Sequence, residues 1–122
     1  FFMKNYTLVF GASLKEDRYS NQVIKKLREN KQEVVAFGLR EGIVFNVTIA
    51  TELINYEHID TVSLYLSPKR QEAYYKYIIS LKPRRVLFNP GTENNTFVKL
   101  LEENNIESDV ACTLVLLATN QY

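Results

Sequence analysis

The 122-residue chain is poor in the residues that punctuate or staple a fold, with 4 glycines, 3 prolines, 1 cysteine and no tryptophan. A single cysteine, Cys112, excludes an intramolecular disulfide framework and suits a reducing compartment, so the cytoplasm is the expected location. The scarcity of glycine rules out the dinucleotide fingerprint G-x-G-x-x-G: Gly11 is followed by Ser13 and Glu16 where that motif requires glycine. Neither sign of charge dominates. The net charge of +1 and pI of about 8.0 carry no electrostatic footprint for nucleic acid. No apolar run approaches the roughly 20 residues of a membrane span, and no signal peptide is visible.

What remains is ordinary for a soluble globular chain: 46% hydrophobic and 24% charged residues. The length suffices for one full core. Residues 1–3 read as a terminal remnant and residues 4–122 as a single domain, without repeats, linkers or low-complexity segments.

Apolar, β-branched runs predict strands at Tyr6–Phe10, Glu33–Phe37, Thr61–Leu66, Arg85–Phe88 and 106–110. Helical spacing predicts helices over Ser20–Asn30, Lys69–Leu81 and Thr96–Asn104, with a further turn or two over Thr113–Ala118. Thr51–Tyr56 is expected to form one or two helical turns, and Gly42–Ala50 has room for a short strand. Strands alternating with helices imply βαβ units. The expected fold is a three-layer α/β/α sandwich around a five-stranded, mainly parallel sheet of order 3-2-1-4-5.

In such a sheet ligands bind beyond the carboxyl ends of the strands, where the strand order reverses. Gly11 allows a sharp turn there, and small Ala12 and Ser13 let backbone N–H groups approach a diphosphate. The helix that follows offers its positive end to an anion, with Ser20, Asn21 and Arg18 as polar contacts. Against this stands a plain strand-to-helix loop with Ser20 as N-cap. After the second strand, an NAD site needs an acid for the ribose hydroxyls, but the chain has Gly38-Leu39-Arg40. Arg40 suits a phosphate on the adenosine ribose, as in NADP or coenzyme A; a solvent-facing turn arginine is the competing reading. Leu66 and Ser67 close the third strand, and Asn89-Pro90-Gly91 the fourth, where the Asn89 amide is expected to face the cleft.

The stretches TLVFGAS with RYSN, DTVSLYLSPKRQ, LKPRRVLFNPGTEN and ACTLVLL together resemble small stand-alone CoA-binding proteins, related to the CoA-binding domain of the succinyl-CoA synthetase α subunit. The resemblance runs from about Lys4 to Tyr122. It implies a Rossmann-type fold holding the nucleotide end of coenzyme A or an acyl-CoA. It places Gly11, Ala12 and Ser13 along the diphosphate and Arg40 near the ribose phosphate. Leu66, Ser67, Asn89, Pro90 and Gly91 then border the adenine or pantetheine. The chain departs from relatives after the second strand: Asn-Pro-Lys/Arg-Gly is common there, and this chain has Gly38-Leu39-Arg40-Glu41-Gly42.

No catalytic constellation is visible, so the expected role is non-catalytic binding of a small nucleotide ligand. His58, the lone histidine, precedes the third strand at the end opposite the cleft, where it builds neither a triad nor a metal site. Asp17 and Glu93 are within sequence reach of the cleft as a carboxylate pair, with solvated loop acids as the plainer reading. Cys112 is either a packing thiol or a partner for a ligand thiol. Tyr74, Tyr75 and Tyr77 crowd one helix, whose outer face is a candidate homodimer contact. The alternatives are an NADP- or other nucleotide-binding regulatory domain, and an interaction domain with a vestigial nucleotide site.

Overall fold

A computed structural model describes residues 5–122; the expected remnant at 1–3 lies outside them. Seven strands form one sheet: β1 (Tyr6–Ala12), β2 (Glu33–Gly38), β3 (Gly42–Val44), β4 (Val47–Ala50), β5 (Ile59–Leu64), β6 (Arg85–Phe88) and β7 (Glu107–Val110). The helices are α1 (Tyr19–Glu29), α2 (Pro68–Gln71), α3 (Tyr75–Ser80), α4 (Asn95–Glu103) and α5 (Thr113–Ala118). The α/β class holds, with two more strands than expected.

The strand order corrects the one read from sequence. It is β3-β4-β2-β1-β5-β6-β7. The expected third strand is β5, and it pairs with β1 rather than lying outside β2. The place outside β2 belongs to β4, which runs parallel to it through Ala36↔Ile49. Residues 42–50 therefore supply a hairpin, β3 antiparallel to β4, through the two-residue turn Phe45-Asn46. Both turn residues have positive φ, 47° and 65°, the backbone of a tight hairpin whose twist matches that of the sheet. The turn lacks the usual Asn-Gly, which is why spacing alone left it undecided. Counted among the parallel strands, β4 is third, and the doubly wound order 3-2-1-4-5-6 results.

Alternation along the central strands divides the core. Leu8, Phe10, Val62, Leu64, Val86 and Phe88 pack with Ile78, Phe97 and Leu101 on one face of the sheet. Val9 and Ala36 pack with Val23, Ile24, Leu27 and Leu117, from α1 and α5, on the other. Phe10 is fully buried and stacks on Phe37 at 4.7 Å between centroids, with Tyr74 edge-on at 5.1 Å.

Two helical expectations are also corrected. Residues 51–56 are not helical; the Ile54 carbonyl accepts instead from Tyr56 N–H and from the Tyr77 hydroxyl at 2.6 Å. The helix expected over 69–81 is broken by a 3₁₀ turn at Glu72–Tyr74. The break accompanies divergent packing: Tyr74 goes to Phe10 and Phe37, and Tyr75 stacks on Phe97 at 4.5 Å. With Tyr77 they pack, partly buried, against the core.

No helix among the described residues is long and apolar enough to cross a membrane, and no group of three His, Cys, Asp or Glu is placed to hold a metal.

Candidate functional site

The carboxyl ends of β1 and β2 press together. Gly11 is a bulge between Phe10 and Ala12, with φ +98°, and a Cβ on it would lie 3.1 Å from Leu66 and 3.2 Å from the Tyr65 backbone. Gly38 faces Ala12, and a Cβ there would meet the Ala12 carbonyl oxygen at 2.4 Å. These two glycines let the chain turn at Ala12-Ser13 with almost no side chain between strand end and cleft.

The turn is held from within. The Ser13 carbonyl accepts from Asn21 Nδ2 at 3.0 Å, and Ser13 Oγ from Lys15 N–H at 3.1 Å. Asn21 is buried and tethers the loop; it does not line the cleft. Helix α1 starts at Tyr19 after Arg18, with no side-chain cap and no acid in its first turn. Ser20 therefore lies inside the helix, and the plain N-cap reading fails. Asn21 N–H turns back onto Arg18 O at 3.1 Å, while the positive end of the helix and the N–H groups of Tyr19 and Ser20 stay uncompensated.

They open into a cavity of about 800 Å³. Eight of the expected residues line it: Gly11, Ala12, Ser13, Arg18, Ser20, Arg40, Leu66 and Pro90. Lys15, Tyr19, Leu39, Tyr65 and Arg70 join them. Four cations, Lys15, Arg18, Arg40 and Arg70, meet one carboxylate, Asp17. Glu93 is not in the wall, so the carboxylate pair is not assembled there.

The fourth loop departs most from expectation. Asn89 is buried and its amide does not face the cleft. Its Nδ2 donates to Leu64 O at 3.0 Å and Ser63 Oγ at 3.1 Å, and its Oδ1 accepts from Thr113 N–H at 2.8 Å. It ties β5 and β6 to the start of α5. Gly91, at φ +91°, completes an Asn89-Pro90-Gly91-Thr92 turn closed by Thr92 N–H on Asn89 O at 3.0 Å. A Cβ on Gly91 would meet nothing within 4 Å, and Gly91 does not line the cavity. Ser67 precedes α2, exposed and outside the wall.

Gln71, unremarked in the sequence, is fully buried and clasps two loops. Its Nε2 donates to Leu66 O at 2.9 Å and Thr92 O at 2.8 Å, and its Oε1 accepts from Asn94 Nδ2 at 2.9 Å. Asn94 also caps α4 by accepting from Phe97 N–H at 3.1 Å.

The arginines fall into two sets. Arg28 pairs with Glu33, Arg84 forks onto Asp60 at 2.8 and 3.1 Å, and Arg85 donates to Thr61 and lies over the Tyr122 ring. The Arg84 hydrogen bond, with a lesser one from Thr61, holds the Asp60 carboxyl below its ordinary range. Arg18, Arg40 and Arg70 have neither ion pair nor side-chain hydrogen bond among the described residues, and all three line the cavity. Sequence reasoning missed Arg70 because its signal, an arginine one turn into a short helix after the third expected strand, looks like any solvated residue.

His58 sits before β5 with its carbonyl accepting from Tyr6 N–H, away from the cavity. Cys112 is half-buried at the start of α5 and does not line the cavity.

Burial pushes the Tyr65 phenol up to about 12. Its hydroxyl lies beside the bonded Ser63–Thr113 pair without a hydrogen bond of its own. A phenol with a raised folded-state value stabilises fully below the ordinary value of about 10, and that stability is lost as pH rises from 10 to 12. Tyr77 is likewise raised to about 12 by burial, and Tyr56 and Tyr122 are raised by the same cause. Urea unfolding should therefore show stability falling steeply above pH 10. Tyr65→Phe is expected to leave stability at pH 7 unchanged or up to about 1 kcal/mol higher, because an orphan hydroxyl is removed. It should also recover about 2 kcal/mol of the loss at pH 12. A Tyr65→Phe protein with an unaltered alkaline limb would refute this account.

A family model described as "CoA binding domain" matches residues 5–118. A crystal structure of a protein described only as uncharacterized is similar at 40% identity, with a TM-score of 0.94, over 99% of this chain and 100% of that one. A Thermus thermophilus protein matches at 18% identity and TM-score 0.85, over 98% of this chain and 91% of its own. A hypothetical protein from Pyrococcus horikoshii OT3 matches at 24% and 0.83, over 97% and 83%. The last two likenesses speak to fold alone. No curated protein matches the chain.

Proposed function

The chain belongs to the CoA-binding domain family, and from that premise we propose that it binds coenzyme A or an acyl-CoA without transforming it. The observation that carries this reading is the convergence of three unpaired arginines on one cavity beside an uncapped helix start. Unpaired like charges repel one another and gain nothing for the fold. They make sense opposite a ligand with several phosphates, bound through charge-assisted hydrogen bonds. Coenzyme A carries a diphosphate and a separate ribose 3′-phosphate.

The diphosphate rests on the turn from Gly11 to Ser13 and the first N–H groups of α1, with Arg18 at its side. Arg40, following β2, takes the 3′-phosphate. Leu39 and Leu66 offer apolar surface to the adenine. β2 ends without an acid, and Glu41, three residues on, is not in the cavity wall while Arg40 is, which disfavours an unphosphorylated ribose. The only histidine lies at the far end of the sheet, outside the cavity wall, which supports a binding role. The lone cysteine suits the cytoplasm.

Titration calorimetry and thermal melting with CoA, dephospho-CoA, NADPH and ATP test the reading. CoA should bind best and raise the melting temperature most. Arg40→Ala should weaken CoA about tenfold or more and leave dephospho-CoA almost unchanged. Preference for NADPH would transfer the site to a dinucleotide, and no response to any nucleotide would mark it vestigial.

A further inference from the structure

We propose that Arg70 grips the ligand's diphosphate from the wall opposite α1, and that the buried amide of Gln71 positions it; this rests on the CoA reading above.

The sheet order separates the roles of the arginines. β1 lies between β2 and β5, so the diphosphate turn after β1 is the centre of the cleft. Arg40 follows β2 on one side, and Arg70 follows β5 on the other. Strands that flank a third lie about 10 Å apart. Two arginines so placed serve different phosphates of one ligand better than they share one. With the adenosine and its 3′-phosphate on the β2 side, the group left within reach of Arg70 is the diphosphate. Arg18, at the start of α1, approaches it from the helix side. Arg70 lines the same cavity, is exposed, and its side chain has no protein partner among the described residues.

A free arginine on a four-residue helix would ordinarily have little reason to stay aimed at a cleft. Gln71 supplies that reason. It is the next residue, its side chain is fully buried, and its three hydrogen bonds fasten α2 to the end of the β5 segment, to the β6–α4 turn and to the α4 cap. The rotation of α2 about its axis is thereby fixed, and so is the direction in which Arg70 leaves it. Arg70 N–H donating to Ser67 O at 3.0 Å holds the first turn. Gln71 touches no ligand in this scheme; it acts through Arg70.

The test measures CoA, dephospho-CoA and ADP affinities by calorimetry for the unaltered protein, Arg70→Ala, Arg70→Lys and Arg40→Ala. Arg70→Ala should weaken all three ligands by a similar factor of about ten, since all share the diphosphate. Arg70→Lys should recover part of the loss, as a point charge without the fork. The melting temperature of ligand-free Arg70→Ala should stay the same or rise. Gln71→Met should weaken ADP a few-fold, and that effect should vanish in the Arg70→Ala background, as a double-mutant cycle requires of a residue acting through another. A Gln71→Met effect of equal size in both backgrounds overturns the positioning role. If Arg70→Ala binds every ligand as tightly as the unaltered protein, or loses only CoA while keeping dephospho-CoA and ADP, the diphosphate assignment is overturned alone. Failure of the unaltered protein to bind any of the three overturns the CoA reading as well.

Discussion

Alanine in place of Asn89 is expected to cost about 3–5 kcal/mol of folding stability, and no other single substitution considered for this protein should cost more. The Asn89 side chain is buried and satisfies Leu64 O, Ser63 Oγ and Thr113 N–H together. Alanine orphans the Thr113 N–H in the interior at about 1–3 kcal/mol, strips the amide's hydrogen bonds from Leu64 O and Ser63 Oγ, and adds a small void. For a domain of this length that lowers the melting temperature by about 12–20 °C. Urea denaturation at pH 7 reads the loss directly. Asn89→Asp sharpens the test. A carboxylate can still accept from Thr113 N–H but faces the Leu64 carbonyl, so this variant should also be strongly destabilised. A loss below about 1 kcal/mol for Asn89→Ala would mean that water takes over the amide's partners, and Asn89 would then not be the tie between β5, β6 and α5.

Gly38→Ala comes second, and it connects the fold to the cleft. The added Cβ would lie 2.4 Å from the Ala12 carbonyl oxygen and 3.1 Å from Ile49 Cγ2. The first neighbour is backbone, so the relief is a separation of β1 and β2 at their carboxyl ends. The expected cost is about 3 kcal/mol. The shift also moves Ala12 and the turn after it, so CoA affinity should fall at least about tenfold. Gly91→Ala is the control. Its Cβ meets nothing, its φ of +91° carries strain of about 1–2 kcal/mol, and it lies outside the cavity wall. It should lose stability but keep CoA affinity. If Gly38→Ala melts and binds like the unaltered protein, the strand ends part without penalty, and the turn does not depend on their contact.

Much of the fold was legible in the chain because its signals are local. YTLVF, EVVAF and RVLF are short apolar runs, and each became a strand of the sheet. The helical stripe of Val23, Ile24 and Leu27 became the buried face of α1. Eight expected site residues line one cavity because they follow strand ends, and a parallel sheet gathers its strand ends on one side. The hairpin at 42–50 was not legible: Phe45-Asn46 adopts positive φ without glycine, which only its pairing with β2 makes worthwhile.

The side chains differ from the backbone in this respect. Residue order placed Gly11, Ala12 and Ser13 at a turn and left Arg40 where an NAD site would have an acid, and both follow from chemistry within a few residues. Whether an amide faces ligand or core depends on neighbours far along the chain. Asn89 turned inward because Thr113 and Leu64 present a donor and an acceptor that burial leaves no water to satisfy. Gln71 became a clasp because Leu66, Thr92 and Asn94 meet around it. The unpaired state of Arg18, Arg40 and Arg70 is likewise a fact of the folded chain. Six arginines are equal in the sequence, and the fold supplies partners to three and a common cavity to the others. Local spacing carried the scaffold and the position of the phosphate turn. Long-range packing alone decided which polar groups were left facing the cleft.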